Sequence, residues 1–248
     1  MYVHADAPAT HLLNARAAAG VLLPGAVVTG PSAAVLWGVD LAEPADDVEL
    51  TLPPGSHPVR VQGLRVRRAR VDADAVCRRP GVCVTTPAVT AASVAAALPL
   101  DDAVVAVDGL VVSGIVELAQ VRAAAAVLTG AGSRRTRIAC SLADGLAGSP
   151  QETRLRLLIV RSDLPVPTAQ FRVRDGAREV ARVDFGWPAQ RVAVEYDGLW
   201  HRDPAQFVED RQRLNRLTAA GWRIVFVTAR DLHRPQELVA RIQAALVA

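Results

Sequence analysis

Two neighbouring apolar runs near the C-terminus carry acidic residues at positions where a buried strand would ordinarily have none. Asp184 lies within the first run, residues 180–187, and Glu195 and Asp197 stand at the end of the second run, residues 192–197. Both runs have the length and the β-branched composition of strands. A turn between them would pair the strands antiparallel and place the three acids side by side.

The alternation of side chains along a strand predicts which residues of these runs share a face. Val183 and Phe185 are expected on one face, and Asp184 is expected on the other. Glu195 and Asp197 would lie on the same face as Asp184. Three carboxylates on one face repel one another unless a cation lies between them. Such oxygen ligands favour Mg²⁺, with Mn²⁺ as a substitute, so we predict a metal site formed by these three acids.

Two further residues are expected to reach the same site. His201 follows the acids, and Gly198 allows a sharp turn of the backbone between them. We therefore predict His201 as the general base for a water molecule, or as a ligand. Glu152 lies in the first turn of a predicted helix and would reach the site if that helix packs on the sheet.

The charged residues exclude one kind of catalytic group and favour one class of substrate. All 28 basic residues are arginine, so a catalytic lysine amine is excluded. Residues 149–248 hold 16 Arg and 12 acids, a net charge of +4, whereas residues 1–148 hold 12 Arg and 13 acids, a net charge of −1. The positive excess lies in the same half as the acidic cluster, which favours a polyanionic substrate. Ordinary surface charge would also account for so small an excess.

Four residues near the acidic cluster are candidates for contact with nucleic acid: Arg182, Trp200, Arg211 and Arg213. Arginine can bind a phosphate through two hydrogen bonds at once, and a tryptophan can stack on a base or wedge between bases. Arg213 also follows Asp210 by three positions on a predicted helix, where a plain surface ion pair is an equal alternative.

The pattern of apolar residues and turns predicts an α+β protein with two domains. Residues 1–146 are predicted as a mixed, mostly helical domain, with the boundary in the stretch 145–150. Residues 149–248 predict the element order αβββαβα, beginning with Ser149 as N-cap and Pro150 in the first turn. Three cysteines without metal spacing predict buried, free thiols. We expect neither a membrane span nor a secretory signal.

Four spaced motifs run through residues 149–248. They are Ser-Pro-x-Glu at 149–152, Val-Asp at 183–184, Glu-x-Asp-Gly-x-x-His at 195–201 and Asp-x-x-Arg-x-x-x-Leu-x-x-x-Gly-Trp at 210–222. In order and spacing they resemble the very-short-patch-repair-like (Vsr-like) branch of the PD-(D/E)XK nuclease superfamily. The resemblance covers about two-fifths of the chain. It implies a restriction-endonuclease-like fold.

The resemblance also implies a role for each acid of the motifs. Asp184 would be the main metal ligand, with Glu195 as a second acidic position. His201 would be the base, and Glu152 a supporting acid. The superfamily usually has a lysine where this chain has Asp197, and the very-short-patch branch uses histidine instead.

The first half carries segments that resemble, more weakly, a region of AbiEi-family antitoxin-like proteins. These segments are Leu-Pro-Gly-Ala-Val at 23–27, Ala-Ala-Val-Leu-Trp-Gly-Val at 33–39, Thr-Thr-Pro at 85–87 and Val-Val-Ala-Val-Asp at 104–108. Such proteins usually begin with a winged helix for DNA binding, and this chain is expected to start after that element. An arginine-rich stretch at 65–70 could contact a nucleic-acid backbone, but a solvated strand face is the preferred interpretation.

The expected function is therefore a magnesium-dependent DNA endonuclease, in repair or in defence, that acts in the cytoplasm or at the nucleoid. The alternative is a non-catalytic DNA-binding or antitoxin-like regulator that keeps a nuclease fold. DNA is the expected partner, and residues 1–146 are a candidate surface for a partner protein. The oligomeric state, the DNA substrate and its sequence preference do not follow from the sequence.

Overall fold

The computed structural model of the chain divides into two compact units, Met1–Gly145 and Leu146–Ala248. It describes residues 8–130, 132–176, 178–198 and 204–248, with the backbone alone at 175 and 204–210. Both units combine helices with a sheet, so the predicted α+β class is confirmed. Within these described ranges, no helix has both the length and the apolar character that a membrane crossing requires.

The first unit is built around a five-stranded sheet. Its strands are β1 (Val27–Val28), β2 (Val48–Leu52), β3 (Leu64–Arg68), β4 (Val76–Arg79) and β5 (Val82–Thr85). They lie in the order β3-β2-β1-β5-β4. The helices α1 (His11–Ala17) and α2 (Gly30–Leu36), with a π-helical turn at Ala18–Leu22, pack alanines against Val28 and Leu50. These small side chains let the helices approach the sheet closely.

Four further helices complete the first unit. They are α3 (Pro87–Ala97), α4 (Leu100–Val112), α5 (Leu118–Val127) and α6 (Ser133–Leu142). Asp108 of α4 is buried, and its Oδ1 accepts the N–H groups of Asp144 and Gly145 at 2.9 Å each. A buried carboxylate is tolerated when it is hydrogen-bonded in this way. It fixes the end of the unit onto α4.

The sequence-based description of the first unit is partly wrong. The sequence predicts no strand at β1, β4 or β5 and no 3₁₀ turn at Ala73–Ala75, and it predicts a strand over residues 64–71, whereas β3 ends at Arg68. The apolar pattern predicts helices over residues 88–98, 101–113, 117–128 and 133–146, and α3 to α6 lie within a few residues of these bounds. The three cysteines are free thiols, but the predicted burial holds for Cys140 alone, because Cys77 and Cys83 are half-buried.

The second unit contains a four-stranded sheet. Its elements are α7 (Pro150–Val160), β6 (Thr168–Asp175), β7 (Arg178–Trp187), β8 (Val192–Tyr196), α8 (Pro204–Ala219), β9 (Arg223–Val227), α9 (Ala229–Leu232) and α10 (Pro235–Val247). The strands lie in sequence order, with β6, β7 and β8 antiparallel and β9 parallel to β8. A parallel neighbour needs a crossover, which α8 supplies. The predicted order αβββαβα is confirmed, with the short α9 added.

Two cores lie on opposite faces of this sheet. The first lies between the sheet and the helices α7 and α10, and it contains Phe185 and Val194. The second lies beneath α8 and contains Val183, Ala193 and Leu217. Ala193 and Val194 are neighbours on β8 and belong to different cores, as the alternation of a regular strand requires. The sheet is therefore covered on both sides.

The prediction that Val183 and Phe185 share a face is wrong. Val183 lies in the core beneath α8, whereas Phe185 lies in the core beneath α7 and α10. A Cβ on Gly186 would lie 2.9 Å from the side chain of Phe171, which packs on the α8 core, so position 186 faces that side. The alternation is therefore broken at Asp184, and the two halves of β7 face opposite ways.

Candidate functional site

A cavity of about 210 Å³ lies in the second unit among the strands β7, β8 and β9 and the helices α7 and α8. It is lined by Glu152, Arg182, Asp184, Glu195, Tyr196, Asp197, Arg213, Leu214 and Phe226. Four of these residues are acids and two are arginines. Convergent charged groups in a concave site are typical of a binding or catalytic centre for a charged ligand.

Asp184 lies where β7 and β8 separate. The paired residues of the two strands end at Phe185 and Val194. Beyond that pair, the N–H of Tyr196 donates to Oδ2 of Asp184 at 2.7 Å. The carboxylate of Asp184 thus takes the place of a backbone carbonyl as the acceptor. The N–H of Tyr196 therefore stays hydrogen-bonded where the two strands separate.

The electrostatics of the cavity centre on the same carboxyl. Burial raises the pKa of Asp184 to about 6 from an ordinary value of 3.8. The hydrogen bond from Tyr196 lowers this pKa, the negative charges of Glu152 and Glu195 raise it, and the positive charge of Arg213 lowers it. Neighbouring carboxylates and burial both disfavour the ionised form, and a cation would reverse that effect.

Glu195 forms a two-pronged ion pair with Arg213 across the cavity wall. Nη1 of Arg213 donates to Oε1 of Glu195 at 2.5 Å, and Nη2 donates to Oε2 at 2.6 Å. Glu195 is 7% exposed, so the pair is largely withdrawn from water. Two parallel bonds of this kind are among the strongest that arginine makes. Both carboxylate oxygens of Glu195 are therefore engaged by α8.

Glu152 is held by the start of α7. The hydroxyl oxygen of Ser149 accepts the N–H of Glu152 at 3.2 Å, and Pro150 lies in the first turn, as predicted. Oε2 of Glu152 accepts the N–H of Gly148 at 2.8 Å and Nε2 of Gln170 at 2.9 Å. The helix cap and these two donors together fix the carboxylate at the cavity.

The other predicted site residues have three different outcomes. Asp197 and Arg182 line the cavity. The N–H of Asp197 also donates to the carbonyl of Val227 at 2.7 Å, which continues the pairing of β8 with β9. Arg211 is exposed on α8 and does not line the cavity. The predicted roles of His201 and Trp200 fall outside the described residues and stay predictions.

Three lining residues and one supporting residue were missed by the sequence reading. Tyr196, Leu214 and Phe226 line the cavity, and Gln170 binds Glu152. Phe226 is 41% exposed and stands opposite Glu195 in the parallel pairing of β8 with β9. Partners in adjacent strands share a face, so the register of β9 was the signal that could have placed it.

The donor set fits a divalent cation in part. Among the residues that the structure describes, no three His, Cys, Asp or Glu side chains form a group that could hold a metal ion as they stand. Magnesium, however, commonly uses one or two carboxylates and completes its shell with waters and substrate phosphate. The carboxylates of Asp184 and Asp197 fit that role. Glu195 already accepts one hydrogen bond from Arg213 on each oxygen, which leaves one lone pair of each oxygen for a metal.

The chain is similar to two mycobacterial proteins over nearly its whole length. "Uncharacterized protein MT2308" and "Uncharacterized protein Rv2248", from two strains of Mycobacterium tuberculosis, are each 35% identical to it over 235 residues, which is 93% of this chain and 85% of theirs. The chain belongs to their family. No protein-family model matches the chain. No solved structure matches it either. The names of these family members state no activity, so the chemistry has to be inferred from the cavity.

Proposed function

We propose that the second unit is a divalent-metal-dependent DNA endonuclease with a restriction-endonuclease-like core. The observation that carries the proposal is the convergence of Glu152, Asp184, Glu195 and Arg213 in one cavity where β7 and β8 part. The element order αβββαβα and the spacing of the acidic motifs support the same reading. DNA repair and defence are the two pathways we consider.

The protein groups have distinct tasks in this proposal. Asp184 and Asp197 would hold Mg²⁺, with Mn²⁺ as a substitute. When bound, the metal supplies charge to polarise the phosphate and to lower the pKa of a bound water. Glu152, anchored by two hydrogen bonds, orients water at the cavity. His201 is our predicted general base and accepts the proton of that water on a ring nitrogen.

The arginines of the cavity are suited to binding the phosphate of the substrate. Arg182 and Arg213 line the cavity beside the acids. A guanidinium binds two oxygens of a phosphate as it binds two oxygens of a carboxylate. Arg213 can therefore exchange Glu195 for a DNA phosphate and keep two hydrogen bonds of its own. Such an exchange would free Glu195 as substrate enters.

A plasmid-nicking assay tests the proposal. Wild-type protein with Mg²⁺ or Mn²⁺ is expected to nick supercoiled DNA, and a chelator is expected to stop it. Asp184→Asn is expected to lose the metal-dependent nicking, whereas Asp163→Asn, the same change at an exposed position of the same unit, is expected to keep it. Equal nicking by the wild type and Asp184→Asn would show that the activity comes from elsewhere.

One observation favours the second candidate, a DNA-binding or antitoxin-like regulator without catalysis. The ion pair between Glu195 and Arg213 neutralises the charge of Glu195 without a metal. Such a regulator would bind DNA equally with chelator and with Mg²⁺, and its affinity would fall with salt according to the number of arginine–phosphate contacts. Binding that is independent of metal, together with no nicking of any substrate, would favour this candidate over the nuclease.

A further inference from the structure

Gln170 lies within β6, yet its backbone φ is +50°. A residue with a side chain rarely adopts this left-handed conformation, and the strain persists only where the surroundings hold it. Among the residues that the structure describes, Arg191 is the other non-glycine residue with a positive φ, at +51°. Arg191 closes the turn between β7 and β8, where such a conformation is ordinary. Gln170 belongs to no turn.

The alternation of side chains along β6 is inverted at Gln170. Ala169 packs in the core beneath α7 and α10, whereas Phe171 packs in the core beneath α8, although a regular strand would send both to one side. The register on either side leaves Gln170 opposite Asp184. The two strands therefore turn over at the same level. The left-handed residue is the point at which β6 accommodates the break that carries Asp184 to the cavity.

The side chain of Gln170 also contacts a residue that lines the cavity. Its Nε2 donates to Oε2 of Glu152 at 2.9 Å, and the N–H of Gly148 donates to the same oxygen at 2.8 Å. Glu152 lines the cavity together with Asp184. Gln170 thus lies opposite Asp184 in the register of β6 with β7, and its amide binds Glu152.

We propose that Gln170 is a positioning residue of the site: its left-handed backbone brings Asp184 to the cavity, and its side-chain amide fixes the carboxylate of Glu152 beside it. The role in metal binding rests on the proposed nuclease function, whereas the role in arranging the two acids stands without it. Two measurements separate these parts.

The first measurement is the affinity of the metal-free protein for Mn²⁺, by titration calorimetry. Gln170→Gly keeps the left-handed backbone and removes the amide, and Gln170→Glu keeps the size and replaces the donor by a second carboxylate. Both variants are expected to bind Mn²⁺ about ten-fold or more weakly, the usual effect of losing a group that orients a metal ligand. Their melting temperatures without metal are expected to stay close to that of the wild type.

Two matched controls share the chemical changes but lie away from the cavity. Arg191→Gly relieves the other positive φ, and Gln190→Glu makes the same amide-to-carboxylate change in the exposed turn. Both are expected to keep the wild-type affinity for Mn²⁺. If Asp184→Asn abolishes Mn²⁺ binding while the Gln170 variants keep it, the role of Gln170 in metal binding is wrong and the proposed function stands.

The second measurement needs no metal. Hydrogen exchange at the N–H of Tyr196 reports the bond to Asp184, and exchange at the N–H of Gly148 reports the bond to Glu152. Gln170→Glu changes the amide and keeps the backbone, so it is expected to speed exchange at the N–H of Gly148 alone, relative to the wild type and to Gln190→Glu. Gln170→Val, whose β-branched side chain disfavours a positive φ, is expected to speed exchange at both amides. Unchanged exchange at both amides in both variants would overturn the positioning role, whatever the metal result. If the wild type binds no Mn²⁺ but these variants exchange faster, the proposed function is wrong and the positioning role stands.

Discussion

Replacing Asp184 by Asn is expected to change how the stability of the second unit depends on pH. Asparagine has the size of aspartate, and its carbonyl oxygen can still accept the N–H of Tyr196, but it does not titrate. The folded protein holds the Asp184 carboxyl at a pKa of about 6, against an ordinary value of 3.8. The variant therefore removes one titration and keeps the packing around it.

The sign and size of the effect follow from the two pKa values. Between pH 3.8 and about 6 the folded state holds a proton on Asp184 that the unfolded state has released. The free energy of unfolding therefore falls as the pH rises through this window, and the loss is complete above the folded pKa. A difference of about two pKa units corresponds to about 3 kcal/mol. The free energy of unfolding of Asp184→Asn does not fall in this way, because asparagine does not titrate.

Urea unfolding followed by tryptophan fluorescence measures the effect. A shared Trp37→Phe background leaves the signal to the second unit, where Trp187 and Trp222 are buried. Relative to the wild type, Asp184→Asn should gain about 2.5 kcal/mol between pH 4 and pH 8. Asp163→Asn, at an exposed position, should gain nothing. A difference between wild type and Asp184→Asn that stays constant over this range would refute a raised pKa.

Three further predictions concern single contacts. Arg213→Ala should lower the free energy of unfolding by about 3 kcal/mol in urea, because it leaves the buried carboxylate of Glu195 unpaired; a loss below about 1 kcal/mol would mean the pair is solvated. Gly186→Ala should lower the free energy of unfolding by about 1–3 kcal/mol, because the added Cβ clashes with the side chain of Phe171. Gly109→Ala, in open space within α4, should raise it by about 0.5–1 kcal/mol. Equal effects of the two changes would contradict the packing around Gly186. Arg211→Gln should reduce the salt slope of DNA binding by about one, and an unchanged slope would place Arg211 away from the DNA.

The elements of the second unit were predictable because their signals are local. Ser149 and Pro150 mark the start of α7 through the cap that Ser149 makes. The apolar runs of β7 and β8 are separated by a short turn, which leaves antiparallel pairing as the simple outcome. Gly221 has a φ of +78° after α8, which a glycine adopts without cost. Each of these signals acts within a few residues.

The first unit shows where local signals are insufficient or were overlooked. The strand β1 has two residues, too few for any periodic pattern. The strands β4 and β5 flank Pro80 and Gly81, a turn signal that would have identified the hairpin. Each strand has only four residues, too few for a clear periodic pattern, and two of the four residues of β4 are arginines.

The arrangement of the site depends on contacts between distant residues. Arg213 binds Glu195, 18 positions earlier, and no local pattern couples them. The break in alternation at Asp184 depends on the backbone of Gln170 in β6. It also depends on the two cores, which pack against successive parts of β7. Strict alternation placed the three acids together, and all three do line the cavity, but Asp184 reaches it through a break in that alternation.

The turnover at Asp184 has a consequence for comparing relatives of this chain. An insertion of one residue inverts the faces of an ordinary strand, so regular alternation normally keeps the alignment of strands in register. Here β7 already contains one inversion of its faces, so the side chains of residues 178–183 and of residues 185–187 alternate in opposite phase. An alignment guided by alternation alone would place a false gap beside Asp184. Aligning each half to its own core would keep the acid in place.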